Sequence, residues 1–170
     1  LLSAGYPVKG DAMSTVEDRI RELGYNLPEL AAPVAAYVPA VTSGNYVYTS
    51  GQLPFVKGEL PARGKVSASG DAAYVSPEKA QELAALSLLN ALAAVKSVIG
   101  DLDRVTKVVK VVGFVASEPN FTAQPAVING ASLLLGEIFA EAGQHARSAV
   151  GVPVLPLDSP VEIEIIVEYV

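Results

Sequence analysis

Two long stretches of the chain repeat apolar residues at the spacing of an amphipathic helix. The first, residues 76–100, opens with Ser76, a favoured N-cap, followed by Pro77, which suits the first helical position. Leucines and alanines then recur every three or four residues until Gly100, a residue that favours a helix end. The second stretch, residues 125–143, has the same periodicity and also ends at a glycine. We therefore predict two long helices.

Runs rich in valine, isoleucine, tyrosine and threonine indicate strands around these helices. Two short runs flank a turn at residues 43–45 and predict a hairpin. A long run at 104–117 and two runs near the end of the sequence, 147–152 and 161–169, predict three more strands. Residues 53–75 contain several glycines and prolines, so we expect a long loop there, with one edge strand near "GKVSAS".

The order of the elements predicts an α+β fold. A short helix, capped by Ser14 or Thr15 and ended by Gly24, precedes the series β-β-(β)-α-β-α-β-β. This series favours a sandwich in which the two long helices cover one face of a mixed sheet.

A single domain is expected because no repeat or long linker divides the sequence. We assign residues 13–170 to this domain, with residues 14–34 forming the first helix and a connector. Residues 1–12 precede Met13 and are interpreted as a leader or a cloning remnant.

Composition narrows the classes of function. Of the 170 residues, 51% are hydrophobic and 18% charged, as expected for a globular protein with a filled core. The net charge is −6 and Lys and Arg do not cluster, so nucleic acid is a poor candidate partner. Without cysteine and with one histidine, the chain offers neither disulfides nor the usual thiolate or multi-histidine metal sites. The apolar runs are too short for a membrane span, and the absence of cysteine fits the cytoplasm.

The last predicted strand, "VEIEIIVEYV", presents two different faces. One face is apolar: Val161, Ile163, Ile165, Val167 and Tyr169. The other carries Glu162, Glu164, Ile166 and Glu168. A polar face open to water is the simpler interpretation. The neighbouring runs "VVKVVGFV" and "YVPAV" are apolar on both faces, however, so we expect a second subunit to cover this side of the sheet.

Three segments together resemble the reactive-intermediate deaminase superfamily, also called Rid, YjgF-like or L-PSP endoribonuclease. They are "AYVPAVTSGNYVYTSGQLP", "ARSAVGV" and "VEIEIIVEYV", and the resemblance extends from about residue 35 to residue 170. It implies a homotrimer of chorismate-mutase-like subunits, with the sheets facing inward and three sites in the clefts between subunits.

The resemblance also implies roles for individual residues. Arg147 would bind a substrate carboxylate, and Glu162 would activate water or transfer protons. Further substrate contacts would fall on Tyr37, Asn129, the segment Thr49, Ser50, Gly51 and Gln52, and the backbone of Ala149. The implied reaction is hydrolysis of 2-imino or enamine acids to 2-oxo acids and ammonia, without metal or cofactor.

These residue types suit that chemistry. An arginine guanidinium presents a planar fork of donors that matches a carboxylate. A partly buried glutamate can take a proton from water and deliver one to departing ammonia. Many relatives have cysteine at the position of Ala149, and here only a backbone contact could remain. The loop 53–75 and the connection "SEPNFTAQPAVING" are longer than in compact members and could reshape the cleft mouth.

Each of these residues also has a structural interpretation. Arg147 could form an inter-subunit salt bridge, Tyr37 could be a packed aromatic residue, and Asn129 could bond to nearby backbone. Glu164 and Glu168 are expected at the rim or in solvent. His145 is expected to interact with carbonyl groups at a helix end.

Two rival functions remain open. A regulatory trimer could capture small carboxylates through Arg147 without turnover, which would make Glu162 dispensable. Endoribonuclease activity is less favoured, because an acidic chain with one histidine is poorly equipped to bind and cleave RNA.

Overall fold

The computed structural model describes residues 14–30 and 36–170; the predicted leader and part of the predicted connector lie outside these ranges. The long elements, in chain order, are α1 (Thr15–Glu22), β1 (Ala40–Ser43), β2 (Tyr46–Thr49), α2 (Pro77–Ile99), β3 (Val105–Ala116), α3 (Gln124–Phe139), β4 (Ala146–Val152) and β5 (Val161–Tyr169). Each corresponds to a predicted helix or strand.

The described strands form one mixed sheet in the order β1-β2-β5-β3-β4. β3 and β4 are parallel, and the other neighbouring pairs are antiparallel. The parallel pair arises because α3 connects these two strands as a crossover, whereas β1 and β2 need only a tight turn. The predicted α+β architecture with a mixed sheet is confirmed.

The core lies between the sheet and the two long helices. On β5, four alternate side chains are at most 1% exposed: Val161, Ile163, Ile165 and Val167. Large residues of α2 are equally buried, among them Leu83, Leu88 and Leu92. Burying each such side chain stabilises the fold by about 1.5–3 kcal/mol before conformational entropy is counted. On α3, Ile128 and Leu135 are fully buried as well, so α2 covers β5 and its hairpin side while α3 covers β3 and β4.

α2 and the segment Gln124–Gly143, which extends four residues beyond the end of α3, are long and apolar enough to cross a membrane by length and composition alone. In the fold, 67% of the apolar window in Pro77–Ile99 and 44% of that in Gln124–Gly143 are buried. Packing against the sheet accounts for much of this apolar character.

β3 departs from regular alternation. Its pairing with β5 shifts register between Val105 and Lys107 and again between Val108 and Lys110. These bulges place Val105, Val108 and Val111 on the buried side at a spacing of three residues. Strict alternation would place Val108 and Val111 on opposite faces, but the bulge between them puts both on the buried face. Part of the apolar character that alternation assigns to both faces of "VVKVVGFV" is therefore due to this bulge.

The ends of the two long helices differ. α2 is capped as predicted: the Ser76 hydroxyl accepts a hydrogen bond from the Lys79 amide at 3.1 Å, and Gly100 ends the helix with φ +86°. The α-helical part of the second helix ends at Phe139, and a 3₁₀ turn over Ala140–Gly143 continues to the predicted end.

α1 is anchored by a residue that the sequence did not indicate. Asp103 accepts hydrogen bonds from the Ser14 hydroxyl (2.9 Å) and from the amides of Thr15 (2.9 Å) and Val16 (2.8 Å). Burial acts to raise the pKa of Asp103, but these hydrogen bonds outweigh it and hold the pKa below its usual range. α1 is thereby tied to the turn before β3.

The long loop at 53–75 is confirmed, but the predicted edge strand within it is reduced to single bridges. Val66 is fully buried and bridges to Val75 and to Ser117. The loop is also fastened to the β4–β5 connection, because the Gly64 amide donates to the Asp158 carbonyl at 2.8 Å.

Candidate functional site

Arg147 lies on the helix side of the sheet. In the register of β4 it is paired with Val111, whose side chain is buried under the helices. Its Nη1 donates to Asn129 Oδ1 at 2.7 Å and to Ser132 Oγ at 3.2 Å. Asn129 and Ser132 are one turn apart on α3, so they face the same strand. Two residues that the resemblance implied, Arg147 and Asn129, are in direct contact.

These two bonds use both hydrogens of Nη1 and leave one edge of the guanidinium open. Among the described residues, Arg147 makes no ion pair and no hydrogen bond through Nε or Nη2. Nε–H and the adjacent Nη2–H point in the same direction, which is the side-on fork that accepts a carboxylate. Within one chain Arg147 is therefore held in place without being neutralised.

Glu162 lies on the opposite side of the sheet. It is paired with Phe114 and alternates with the buried Val161 and Ile163. The side chain is partly buried. Burial raises the pKa of Glu162, and the negative charge of Glu164 on the same face raises it further. A carboxyl group with a raised pKa is better suited to exchange protons near neutral pH.

The segment from Thr49 to Gln52 lies directly against β5. Gln52 and Ile163 exchange two backbone hydrogen bonds of 2.8 and 3.0 Å, and Thr49 Oγ1 accepts from the Ile165 amide at 3.0 Å. A Cβ atom on Gly51 would lie 2.3 Å from Glu162 Oε1. Only glycine at this position allows the Glu162 carboxylate to occupy its place.

Ser50, next to Gly51, is bonded to the segment that precedes β1 and contains Tyr37. The Ser50 hydroxyl donates to the Val38 carbonyl at 2.6 Å, and its amide donates to the Pro39 carbonyl at 2.8 Å. Ser50 therefore fixes the segment that carries Tyr37. The Tyr37 side chain is 60% exposed, so packing within one chain does not account for it. Substrate contacts by Tyr37 and Ser50 stay predictions.

The candidate residues thus form two separate clusters. The arginine cluster comprises Arg147, Asn129 and Ser132, and Ala149 lies beside it, paired with Gly113 on the helix side. The glutamate cluster comprises Glu162 and Gly51. β3 separates β4 from β5, which places these strands about 10 Å apart, and the clusters point to opposite faces. One chain does not bring Arg147 and Glu162 together.

The face that carries Glu162 has no covering layer among the described residues, yet it is not uniformly polar. Val41, Tyr48 and Val150 are 42–50% exposed. A depression of about 110 Å³ between Lys110 and Glu164 lies on the same face. Such a mixture of apolar and charged groups is typical of a surface that meets another protein surface.

Sequence reasoning did not indicate a functional role for Ser132, which is part of the arginine cluster, or for His145, which contacts Ser132. Ser132 Oγ lies 2.9 Å from His145 Nε2, and His145 Nδ1 lies 2.6 Å from the Gly143 carbonyl oxygen. The predicted contact of His145 with a carbonyl at a helix end is confirmed. Two spacings in the sequence could have indicated these residues. Ser132 follows Asn129 by three residues on one helix, and His145 precedes Arg147 by two residues at the start of a strand.

No group of three or more His, Cys, Asp or Glu side chains in the described part of the chain is arranged to hold a metal ion. The donor set at the two clusters consists of one guanidinium, one amide, one hydroxyl and one carboxylate. These groups bind anions and transfer protons.

Comparison with known proteins places most of the chain in one family model. Residues 17–169 match the model described as "YjgF/chorismate_mutase-like, putative endoribonuclease". The chain is 40% identical over 160 residues to Protein TCP17 of Trypanosoma cruzi, covering 92% of this chain and 96% of that protein. It is 31% identical over 143 residues to "Protein MMF1, mitochondrial" of Saccharomyces cerevisiae, covering 81% and 79%.

Solved structures extend the similarity to the fold. The protein Atu1372 from Agrobacterium tumefaciens, described as having unknown function, is 43% identical with a TM-score of 0.83, covering 92% of this chain and 93% of that one. TdcF from E. coli with bound serine is 28% identical with a TM-score of 0.60, covering 84% and 94%.

The electrostatic coupling between Glu162 and Glu164 generates a direct prediction. Replacing Glu164 by Gln removes a neighbouring negative charge, so the pKa of Glu162 should fall toward its ordinary value. The pKa of Glu162 is measured by following its side-chain carboxyl ¹³C chemical shift in a pH titration. Glu168→Gln, on the same strand and face but farther away, is the matched control and should have a smaller effect. An unchanged pKa in Glu164→Gln, or an equal fall in both variants, contradicts the prediction.

Proposed function

This chain belongs to the YjgF/chorismate-mutase-like (Rid) family, and we propose that it hydrolyses reactive 2-imino and enamine acids to 2-oxo acids and ammonia. The observation that supports this most strongly is the state of Arg147. Two hydrogen bonds hold its guanidinium, and the edge suited to a carboxylate is unpaired within the described chain. TdcF, a relative solved with serine, is a precedent in the family for binding a small molecule that carries a carboxylate.

We propose that the active form is a homotrimer with inward-facing sheets and with a site in each cleft between subunits. Two features of the chain support this arrangement. Arg147 and Glu162 face opposite sides of one sheet, so a site that uses both needs two copies. The face that carries Glu162 also bears exposed apolar side chains that a second copy would cover.

In the proposed reaction, Arg147 binds the substrate carboxylate and Asn129 keeps the guanidinium in position. The neighbouring imine carbon is then placed for attack by water. As the water oxygen bonds to the imine carbon, Glu162 takes one proton from the water and delivers it to the nitrogen, which gives a tetrahedral carbinolamine. Glu162 then takes the hydroxyl proton and delivers it to the amine, so the C–N bond breaks, ammonia leaves and a 2-oxo acid remains. An enamine would first tautomerise to the imine. No redox change occurs, and water is the only co-reactant.

The remaining predicted residues receive supporting roles in this proposal. The Ala149 backbone, on the same side as Arg147, would contact the substrate. Gly51 provides the space that the Glu162 carboxylate occupies, and Ser50 and Tyr37 would line the mouth of the cleft. The loop at 53–75 would influence which imino acids enter.

Imine hydrolysis is favoured over RNA cleavage because the chain has a net charge of −6, which disfavours a polyanion. We place the protein in the cytoplasm, whose reducing conditions suit a chain without cysteine, although the yeast relative is by name mitochondrial.

The first functional prediction concerns binding. Arg147→Ala should keep the fold but weaken binding of 2-oxo acids by about 2–4 kcal/mol, because a charge-assisted pair is lost. Arg147→Lys should recover little, since an ammonium lacks the planar fork. Isothermal titration with pyruvate measures the affinity.

Arg21→Ala is the matched control, since Arg21 pairs with Asp18 on the surface of α1 and its loss removes the same charge. It should bind pyruvate like the parent protein. If Arg147→Ala binds pyruvate as tightly as the parent, Arg147 has a structural role only.

The second functional prediction concerns turnover. Glu162→Gln keeps the shape of the side chain but removes the group that exchanges protons, so enzyme-dependent ammonia release should fall about 10²–10⁴-fold. Pyruvate binding should persist because Arg147 is unchanged. The imines also hydrolyse without protein. Ammonia release should therefore be measured soon after the imine is generated and compared with a reaction that contains no protein.

Glu168→Gln, on the same strand, should retain turnover, because Glu168 is engaged by the Thr106 hydroxyl at 2.9 Å at the far end of β5. A parent protein that binds pyruvate but never exceeds the spontaneous rate would favour the regulatory trimer. Equal enzyme-dependent rates for the parent and Glu162→Gln would remove this glutamate from the mechanism.

A further inference from the structure

A series of hydrogen bonds leads from Arg147 away from the proposed carboxylate position and ends at the backbone. Arg147 Nη1 donates to Ser132 Oγ at 3.2 Å, Ser132 Oγ lies 2.9 Å from His145 Nε2, and His145 Nδ1 lies 2.6 Å from the Gly143 carbonyl oxygen. Ser132 and His145 are both partly buried, and Gly143 is buried. The series connects β4, α3 and the 3₁₀ turn between them.

Chemistry fixes the direction of the bonds at the two ends of this series, because Arg147 Nη1 only donates and the Gly143 carbonyl only accepts. A carbonyl oxygen only accepts, so Nδ1 of His145 carries the proton that is donated to Gly143. When the imidazole carries this proton alone, Nε2 is an acceptor and the Ser132 hydroxyl donates to it. The Ser132 oxygen, oriented in this way, presents its lone pairs to Arg147. Each group therefore orients the next one.

The end of the series is closely packed against α3. A Cβ atom on Gly143 would lie 2.3 Å from the Leu135 carbonyl oxygen, so the 3₁₀ turn packs directly onto α3. The carbonyl that His145 contacts therefore has a fixed position relative to Ser132, which is on the same helix. Because the Gly143 carbonyl is packed in place at one end, the series can define the plane of the Arg147 guanidinium at the other end.

The consequence for Arg147 follows from the geometry of its side chain. Nη1 lies on the same side of the guanidinium as Cδ, and its two hydrogens are held by Asn129 and Ser132. Rotation about the Cζ–Nη1 bond or tilting of the plane would break one of these bonds. The edge formed by Nε and Nη2 is thus already oriented before a ligand arrives, which lowers the entropy cost of binding.

We propose that Ser132 and His145 are positioning residues that act in series on Arg147 and set the guanidinium edge offered to the ligand. The inference rests on the proposed function for the identity of the ligand, which is a 2-oxo or 2-imino acid bound through its carboxylate. Neither residue touches the reacting atoms in this proposal.

A double-mutant cycle tests the series. The affinity for pyruvate is measured by titration for the parent, Ser132→Ala, His145→Ala and the double variant, with folding checked by thermal unfolding. We expect Ser132→Ala to weaken binding by about 3–10-fold and His145→Ala to weaken it by less. The double variant should match Ser132→Ala, because His145 acts only through Ser132. Ser132→Thr, which keeps the hydroxyl, should restore most of the affinity.

Two results of the cycle would overturn the inference. One is an unchanged affinity in Ser132→Ala. The other is a double variant whose loss equals the product of the single losses, since that would mean that the two residues act independently. The KM for imine hydrolysis should follow the pyruvate affinity while kcat stays nearly constant, because Glu162 is untouched.

A ligand-free measurement separates failure of this inference from failure of the proposed function. Hindered rotation of the Arg147 Nη1 group is measured by NMR, with the signals assigned by their loss in Arg147→Lys. Rotation should be faster in Ser132→Ala and in His145→Ala than in the parent. Equal rotation rates overturn the positioning role even if pyruvate binds. Faster rotation in the two variants supports the positioning role even if the parent does not bind pyruvate. A parent that does not bind pyruvate would count against the proposed function alone.

The imidazole of His145 provides an independent signal because the sequence contains one histidine. Its ¹⁵N spectrum in the tag-free protein should show the proton on Nδ1, and the Nε2 signal should move in Ser132→Ala. A neutral imidazole protonated on Nε2, or an Nε2 signal unaffected by Ser132→Ala, would overturn the series.

Discussion

Alternation of side chains across the sheet is the constraint on which the rest of this structure depends. On β5 it directs Val161, Ile163, Ile165 and Val167 into the core, and so it directs Glu162 to the other face. On β4 the parallel register with β3 directs Arg147 toward α3. The same period that builds the core therefore separates the two groups that the proposed chemistry needs. A second copy of the chain is the simplest way to reunite them.

Within one chain, this separation keeps Arg147 and Glu162 from pairing directly with each other. If Arg147 and Glu162 formed an ion pair within one chain, the pKa of Glu162 would be lowered and the guanidinium fork would be occupied. Instead, burial and Glu164 raise the pKa of Glu162, and Arg147 is held by neutral partners, Asn129 and Ser132. The carboxylate can then exchange protons and the cation can bind an anion. Gly51 completes the arrangement by leaving room for the Glu162 side chain.

Much of the fold could be predicted from local signals. Ser76, Pro77 and Gly100 marked the limits of α2, and β-branched runs marked the strands, because capping, proline geometry and alternation act over a few residues. Ser14 caps α1 as predicted, but the bulges in β3 and the anchoring of α1 by Asp103 could not be predicted, because each depends on how distant segments pack. The site shows the same division. The resemblance indicated Asn129 and Arg147, and the family is confirmed, but the contacts of Ser132 and His145 depend on the placement of α3 beside β4.

Subunit complementation tests the central claim that each site is shared between copies. Arg147→Ala and Glu162→Gln are each expected to lack turnover, and the two variants are mixed, dissociated and reassembled together. In a randomly mixed trimer, about one quarter of the clefts would combine an intact Arg147 from one subunit with an intact Glu162 from the next. Imine hydrolysis should return to about one quarter of the parent rate, while each variant reassembled alone should stay inactive. Mixed assemblies that form but stay inactive would contradict the shared site.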